Sequence, residues 1–574
     1  MCTLGDDELV AMLRWVPQAQ RLGACSLVST QFRRAATAAT IGAINVRAAS
    51  LNSSSFRQWL RQHGHAVKGM QVVQHNLDDW EQTLPVDVLQ QLPDLSSLLL
   101  GDTVTFRDTF WQQLQDFPSL TQLSVRVHHS TPVNVFTSAL PRIQHLRKLT
   151  VKAEHAVISS SEASVFSQLT ILQQLSLDCH TLEPVALQRL TQLEDLSLSA
   201  SRLNGANEHE PALLSLLSQL THLTQLQLSS KYDIQAGSSA ATVPVWCTAF
   251  AAITTSSRLR HLKLHLPLHS SAWQEVLNSA AQLPALLTLE AFAISTRPLQ
   301  VFATQPSSAP GLAQLTSLQE LRLFHCELEA DVLSSLTQLS HLGLFSATVT
   351  APGQHTCGTG ALLAALSYMQ QLQHLNLANA IHKEQPEIGT SLHATGASAP
   401  DLLLPRTSAA YTALLASSNL QSLWVLCELP PGTWDHAFSI HHTLPRLTSL
   451  NILLDVHQGC RDGTCETPLS TEAVAAMCSR CWNLQVARFA VQPEASLAPL
   501  QQLHALIKLE LAGVSRSMLG QLAGLRQLRH LSLGCDSTVS LRNMLQLTTL
   551  TCLTHLCCDK PGLWRWLLLQ KVCV

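Results

Sequence analysis

Charge is scarce in this sequence. Only 13% of its 574 residues are Asp, Glu, Lys or Arg, the formal net charge is −3, and no block of basic residues occurs. A protein that grips nucleic acid or an anionic membrane surface needs a concentrated positive field, so neither is expected as a main partner. Long apolar runs are also missing: no stretch reaches the ~18 residues that a membrane-spanning helix needs. The opening MCTLGDDELVAML lacks the basic start and long apolar core of a secretory leader. The expectation is a soluble intracellular chain, cytoplasmic first, with the nucleus, cytoskeleton and cilium left open. The 16 Cys are then read as reduced thiols, several filling small core positions, rather than as a disulfide framework. The ending KVCV puts Cys573 in the wrong place for prenylation, which needs a Cys fourth from the end, so no lipid anchor is implied. No phosphate loop of the form G-x-x-x-x-G-K-[ST], no H-E-x-x-H zinc helix and no G-x-S-x-G elbow is present, so an enzyme is not expected and no cofactor is implied. His209 and Glu210 stand together without a second His four residues along, which reads as a polar loop.

What is present is a repeat. In LTSLQELRLFHCELEADVLSSLTQLSHLGL, Leu315, Leu318, Leu321 and Leu323 are spaced three, three and two, and Leu336, Leu339, Leu342 and Leu344 repeat that spacing 21 residues later. The change from three to two marks an arch that runs into a short strand, because only a strand puts residues two apart on one face. Leu321 and Leu323 should therefore point inward. Cys326 and Leu328 complete a pattern that resembles the leucine-rich repeat signature L-x-x-L-x-L-x-x-N/C-x-L. The third apolar position recurs at Leu98, Leu123, Leu149, Leu175, Leu196, Leu226, Leu262, Leu289, Leu321, Leu342, Leu375, Leu423, Leu450, Ala487, Leu509, Leu531 and Leu556, after a first degenerate strand around Met70 and Val72. Pieces such as EADVLSSL and STEAVAAMCSR look helical, so each copy is expected to be strand, loop and short helix. The fold class is α/β: a leucine-rich repeat solenoid over 46–560, curved into a horseshoe with parallel strands on its concave face. Extra residues should loop out on the convex side, most of all around 381–411, and LWRWLLLQKVCV within 561–574 is expected to cover the last copy.

Ahead of the repeats, Leu9, Met12, Leu13 and Val16 lie at helical spacing, Pro17 closes that piece, and Leu22, Cys25, Val28 and Phe32 continue it. Helices this short cannot bury their apolar faces alone and need the array or a partner. The segment 1–45 resembles the F-box: Leu4, Leu9, Met12, Leu13, Pro17, Leu22, Leu27, Val28, Phe32 and Arg33 match its pattern without gaps, while Gly5 and Glu8 depart from it. The resemblance implies docking on a Skp-type adaptor, and through it on a cullin, by Leu4, Leu9, Met12, Leu13, Pro17, Leu22, Val28 and Phe32. The alternative is an amphipathic cap on the open end of the solenoid, which every repeat array needs.

Two other groups stand out. Cys460, Cys465, Cys478 and Cys481 give C-x4-C-x12-C-x2-C, which four thiolates could close around zinc. The repeat frame competes, since Cys481 takes the first apolar position of its copy and Cys478 lies in the helical piece before it. Buried or exposed free thiols are therefore favoured and no metal is expected. On the strand face opposite the leucines, Phe292, Phe324 and Phe345 fall in one column, with Glu320, Arg322 and His341 alongside and Trp424 two strands further on. Exposed aromatics flanked by charge are the composition of an interface hot spot, here for a target protein. An F-box joined to leucine-rich repeats resembles the substrate-receptor subunits of cullin-type ubiquitin ligases, which implies a non-catalytic subunit that binds adaptor and target. The other reading is a cytoskeletal or ciliary scaffold whose N-terminal helices merely cap the array.

Overall fold

A computed structural model of the chain falls into two compact units, Met1–Leu266 and Pro267–Val574. The residues it describes are 43–47, 53–73, 90–100, 117–127, 140–158, 164–182, 187–203, 217–230, 256–266, 279–293, 312–324, 327–345, 347–350, 359–378, 408–426, 432–438, 443–452, 468–535 and 539–558, with single positions between them.

Each copy begins with an arch. Leu315 N donates to Leu312 O at 3.1 Å and Leu318 N to Leu315 O at 3.0 Å, and the same pair of bonds closes Leu333–Leu339 and Leu500–Leu506. Bonds to the third residue back place side chains three apart directly above one another, so a spacing of three puts every apolar residue of the arch on the inner side. The strand that follows alternates faces, which is why the spacing drops to two. In Glu320–Phe324, Leu321 and Leu323 are buried while Arg322 is exposed.

In the first unit the described strands are β1 (Ala43–Arg47), β2 (Gly69–Val73), β3 (Ser97–Leu100), β4 (Gln122–Arg126), β5 (Lys148–Ile158), β6 (Gln174–Leu182), β7 (Asp195–Leu203), β8 (Gln225–Ser230) and β9 (His261–Leu266). They pair in parallel, each with the next along the chain, and the register aligns Ile44, Met70, Leu98, Leu123, Leu149, Leu175, Leu196, Leu226 and Leu262 in one row. β1 lies ahead of the first strand expected from the sequence. Its pattern is diluted by Asn45 and Arg47, yet Ile44 and Val46 stand two apart and are buried.

The second unit holds β10 (Thr288–Ala293), β11 (Glu320–Phe324), β12 (Glu327–Glu329), β13 (His341–Phe345), β14 (Thr348–Thr350), β15 (His374–Ala378), β16 (Ser422–Leu426), β17 (Ser449–Asn451), β18 (Val486–Ala490), β19 (Lys508–Val514), β20 (His530–Cys535) and β21 (His555–Cys558). β12 and β14 make a small separate pair, placing buried Leu328 beside Val349; Cys326 lies outside the described residues. The other strands form one parallel ladder, and Leu289, Leu321, Leu342, Leu375, Leu423, Leu450, Ala487, Leu509, Leu531 and Leu556 share its row. In both units every third apolar position read from the sequence falls in that row, and the fold is a leucine-rich repeat solenoid.

Where an arch carries a hydroxyl instead of leucine, the hydroxyl is satisfied. Ser256, 1% exposed, donates to Leu220 O at 2.8 Å, and Ser417 donates to Leu372 O at 2.7 Å. Helices are fewer than one per copy among the described residues. EADVLSSL yields only Ala330–Ser335, and several connections hold a single tight turn instead, such as Leu312–Gln314 or Ala498–Gln502. The closely spaced leucines already complete the inner wall, so a longer helix is not needed to bury it. STEAVAAMCSR does form a helix, Thr471–Arg480. Ser470 caps it by accepting from Ala473 N at 3.1 Å, and Ala473, Val474, Met477 and Cys478 are buried. One bulge interrupts β19, and Gly513 permits it with φ 73°; a side chain there would also meet the Val491 carbonyl oxygen at 2.6 Å. None of the helices among the described residues is long and apolar enough to cross a membrane.

Candidate functional site

The open face of the second unit's ladder is positioned by a backbone joint. The carbonyl that precedes each strand accepts two N–H groups from the next copy: Gln319 O takes Ser340 N at 2.8 Å and His341 N at 3.0 Å, and Ser340 O takes Gln373 N at 2.8 Å and His374 N at 2.9 Å. Residues at equal offsets therefore stack in columns that strand spacing holds ~4.8 Å apart.

The aromatic column is in place. The rings of Phe324 and Phe345 stack with centroids 4.2 Å apart and planes 6° from parallel. Phe292 is in backbone register with Phe324, but its side chain lies outside the described residues. Both described rings are half-exposed. Gly343 lets the stack lie close to the sheet: a Cβ there would sit 2.8 Å from Phe345 Cε2 and 3.3 Å from Arg322 Cγ. The ring edge and the Arg322 stem occupy the room a side chain would take. Arg322 pairs with Glu320 on its own strand at 2.7 Å, so that part of the face carries balanced charge. Trp424, 41% exposed, belongs to the middle column with Arg322, Gly343 and Asn376 rather than to the phenylalanine column.

His341 is joined by a residue that the sequence reading passed over. Its ring stacks on that of His374 at 4.2 Å and 16°, while its Nδ1 lies 2.8 Å from Ser340 Oγ. Partial burial holds His374 below the usual imidazole range. The neighbouring His341 adds to that shift, Glu320 opposes it, and Arg322 adds a further push downward. The signal for His374 was the repeated His-Leu at the first strand position, His341-Leu342 and His374-Leu375. Beside it, Asn376 Oδ1 is buried with no hydrogen-bond partner among the described residues. The face thus offers two stacked phenylalanines, two stacked imidazoles and an exposed indole within three adjacent copies and the next. That inventory suits grip on an apolar and polar protein segment.

The remaining candidates separate. Leu4, Leu9, Met12, Leu13, Pro17, Leu22, Val28 and Phe32 lie outside the described residues, as do the 381–407 part of the expected insertion, 561–574, and Cys460 and Cys465. Cys478 and Cys481 are core residues at 1% and 0% exposure, and Cys481 takes the first apolar position of its arch. Burial pushes both thiols up to about 12; the second thiol raises that of Cys478 further, and Arg480 opposes the shift at Cys481. Both are therefore expected to resist iodoacetamide at pH 8 in the native protein and to react once it is unfolded, as mass spectrometry of the alkylated peptides would reveal. The sign for stability follows: from the ordinary 9.0 toward about 12 the unfolded chain loses these protons first, so stability falls as pH rises through that window. Rapid native labelling would remove both residues from the core.

No family model matches this chain, and no curated protein does. Among solved structures it is similar to a leucine-rich repeat protein of Leptospira interrogans, 14% identical over 82% of this chain and 97% of that one, with a TM-score of 0.42. It is also similar to an internalin of Listeria monocytogenes, 13% identical over 78% and 88% with a TM-score of 0.33. A third is the ectodomain of the Arabidopsis receptor kinase HAESA, solved with a peptide hormone, at 14% identity over 83% and 68% with a TM-score of 0.36.

Proposed function

We propose that the chain is a non-catalytic binding subunit that holds a target protein on the open strand face around Phe324, Phe345 and Trp424, while residues 1–45 dock it on a Skp-type adaptor. It would then serve as the substrate receptor of a cullin-type ubiquitin ligase. The observation that carries the target-binding half is the half-exposed, parallel Phe324–Phe345 stack beside the Glu320–Arg322 pair. Large rings held rigid by neighbours lose little side-chain freedom on binding, which is what a hot spot needs. The adaptor half is supported by the resemblance of residues 1–45 to the F-box pattern. Its mechanism is proximity: a target held near a separate ubiquitin-carrying enzyme presents its lysines at high effective concentration, and no residue here does chemistry.

Copurification with a Skp-type adaptor tests this reading. Replacing Leu13 or Val28 by Asp is expected to abolish adaptor capture, because a carboxylate would be desolvated in the interface without a partner, while the repeats keep their melting temperature. Capture that survives in both variants removes the proposed docking face. Unfolding of the array in both variants would instead identify 1–45 as a cap and favour the scaffold.

A further inference from the structure

The last copies of the second unit carry a second surface, which the proposed function does not use. At the edge where the strands begin, most copies display uncharged residues: Gln319, Ser340, Gln373, Gln421, Thr448 and Gln485 precede their strands. From β19 onward the character changes. Arg529 takes that place before β20, Lys508, His530 and His555 form the first strand column, and Arg526 and His504 follow the first apolar residue of their arches. The imidazoles of His530 and His555 stack at 4.6 Å and 7°. Lys508, Arg526, Arg529, His504 and His555 are all exposed.

Nothing described balances this charge. From Cys481 to Cys558 the described carboxylates are Glu494, which lies beyond the strand ends, and Glu510, whose Oε1 is 2.9 Å from Arg488 Nε. No ion pair among the described residues involves Lys508, Arg526 or Arg529. Two apolar side chains stand in the same columns one copy earlier: Trp482, 44% exposed, ahead of His504 and Arg526, and Ile507, 38% exposed, ahead of Arg529. The backbone fixes these positions. Lys508 N donates to Gln485 O, His530 N to Ile507 O and His555 N to Arg529 O, each at 3.0 Å, and Gln527 Nε2 ties its arch to Leu503 O at 2.8 Å.

We propose that this edge is a docking surface for an acidic protein segment bearing an apolar anchor residue. The anchor seats against Trp482 and Ile507, and the carboxylates face Lys508, Arg526, Arg529 and the paired imidazoles. The column from Val486 to His555 spans about 14 Å at ordinary strand spacing, so four or five extended residues cross it. The chain's own C-terminal stretch is a poor occupant, because Lys560, Arg565 and Lys571 outnumber Asp559 there and would repel the cations. The proposal goes beyond the target site and does not depend on it.

Selection of random displayed peptides on the full chain tests it without presupposing a sequence. The expected result is enrichment of Asp and Glu beside an aromatic or aliphatic residue. Synthetic peptides of that kind should bind about tenfold or more weakly to W482A and to R526E/R529E, and more weakly as salt is raised, yet equally well to F324A/F345A. Should charge reversal shift the melting temperature, R526Q/R529Q serves instead, with the same direction and a smaller loss. Selected peptides without an acidic bias, affinities untouched by the arginine variants, or displacement of the peptides by RNA oligonucleotides at lower concentration than by polyglutamate would each overturn the proposal.

Discussion

Leu321→Asp is expected to melt the middle of the second unit. Leu321 has no solvent exposure and stands in register between Leu289 and Leu342. Its removal forfeits about 1.5–3 kcal/mol of transfer free energy, and the carboxylate that replaces it has no partner there, so the total loss should exceed about 4 kcal/mol. Set against a typical net stability of about 5–15 kcal/mol, that is enough to open the copies on either side. Because each copy touches only its neighbours, the damage should begin locally. Limited proteolysis should nick the chain near β10 to β15 before it nicks β18 to β20, and circular dichroism should show an early first transition. Gln338→Asp, at an exposed position of the next arch, should change stability by less than about 0.5 kcal/mol. A Leu321→Asp protein with the proteolysis pattern and melting curve of the wild type would mean that the assigned register is wrong.

The second large effect concerns binding rather than folding. Phe324→Ala should weaken target affinity by about 2 kcal/mol, roughly 30-fold. The array should lose only about 1 kcal/mol, the order of one stacked aromatic contact. Once cross-linking has identified the target, calorimetric titration against wild type, F324A, F345A and the double variant would give both single effects and their coupling. The rings touch, so the two losses should not add. If Phe324→Ala destabilises the array by several kcal/mol and leaves the affinity intact, the ring is a core element and the target sits elsewhere, with the connecting loops the next place to look.

Leucine spacing alone located the ladder, because an arch followed by a strand is specified locally: backbone bonds within a few residues decide which side chains turn inward. Ala487 and Cys481 were readable for the same reason, since the frame placed them although neither is leucine. Elements that depend on neighbouring copies were harder to see. β1 is short and dilute, and it is a strand because β2 pairs with it. The His341–His374 and His530–His555 stacks join residues that chain order keeps far apart, and the columns appear only when copies of unequal length are aligned by register. Gly343 is a further case. In the sequence it is an ordinary glycine, whereas in the sheet it makes room for a ring two residues away and for the Arg322 stem on the neighbouring strand β11.

The doubled hydrogen bond ahead of each strand bears on how such a chain can change over generations. Gln319 O receives Ser340 N and His341 N across 21 residues, and Gln373 O receives Gln421 N and Ser422 N across 48, with nearly the same distances. The joint responds to the two ends it binds and not to the length of chain between them, and doubling a flexible connection adds only about 0.6 kcal/mol of closure entropy. Insertions and deletions between copies are thereby close to neutral for the register. The connecting segments can lengthen, shorten or acquire new sequence while the columns of the open face stay aligned, so the two proposed surfaces of the second unit can be reshaped one residue at a time on a frame whose alignment does not shift.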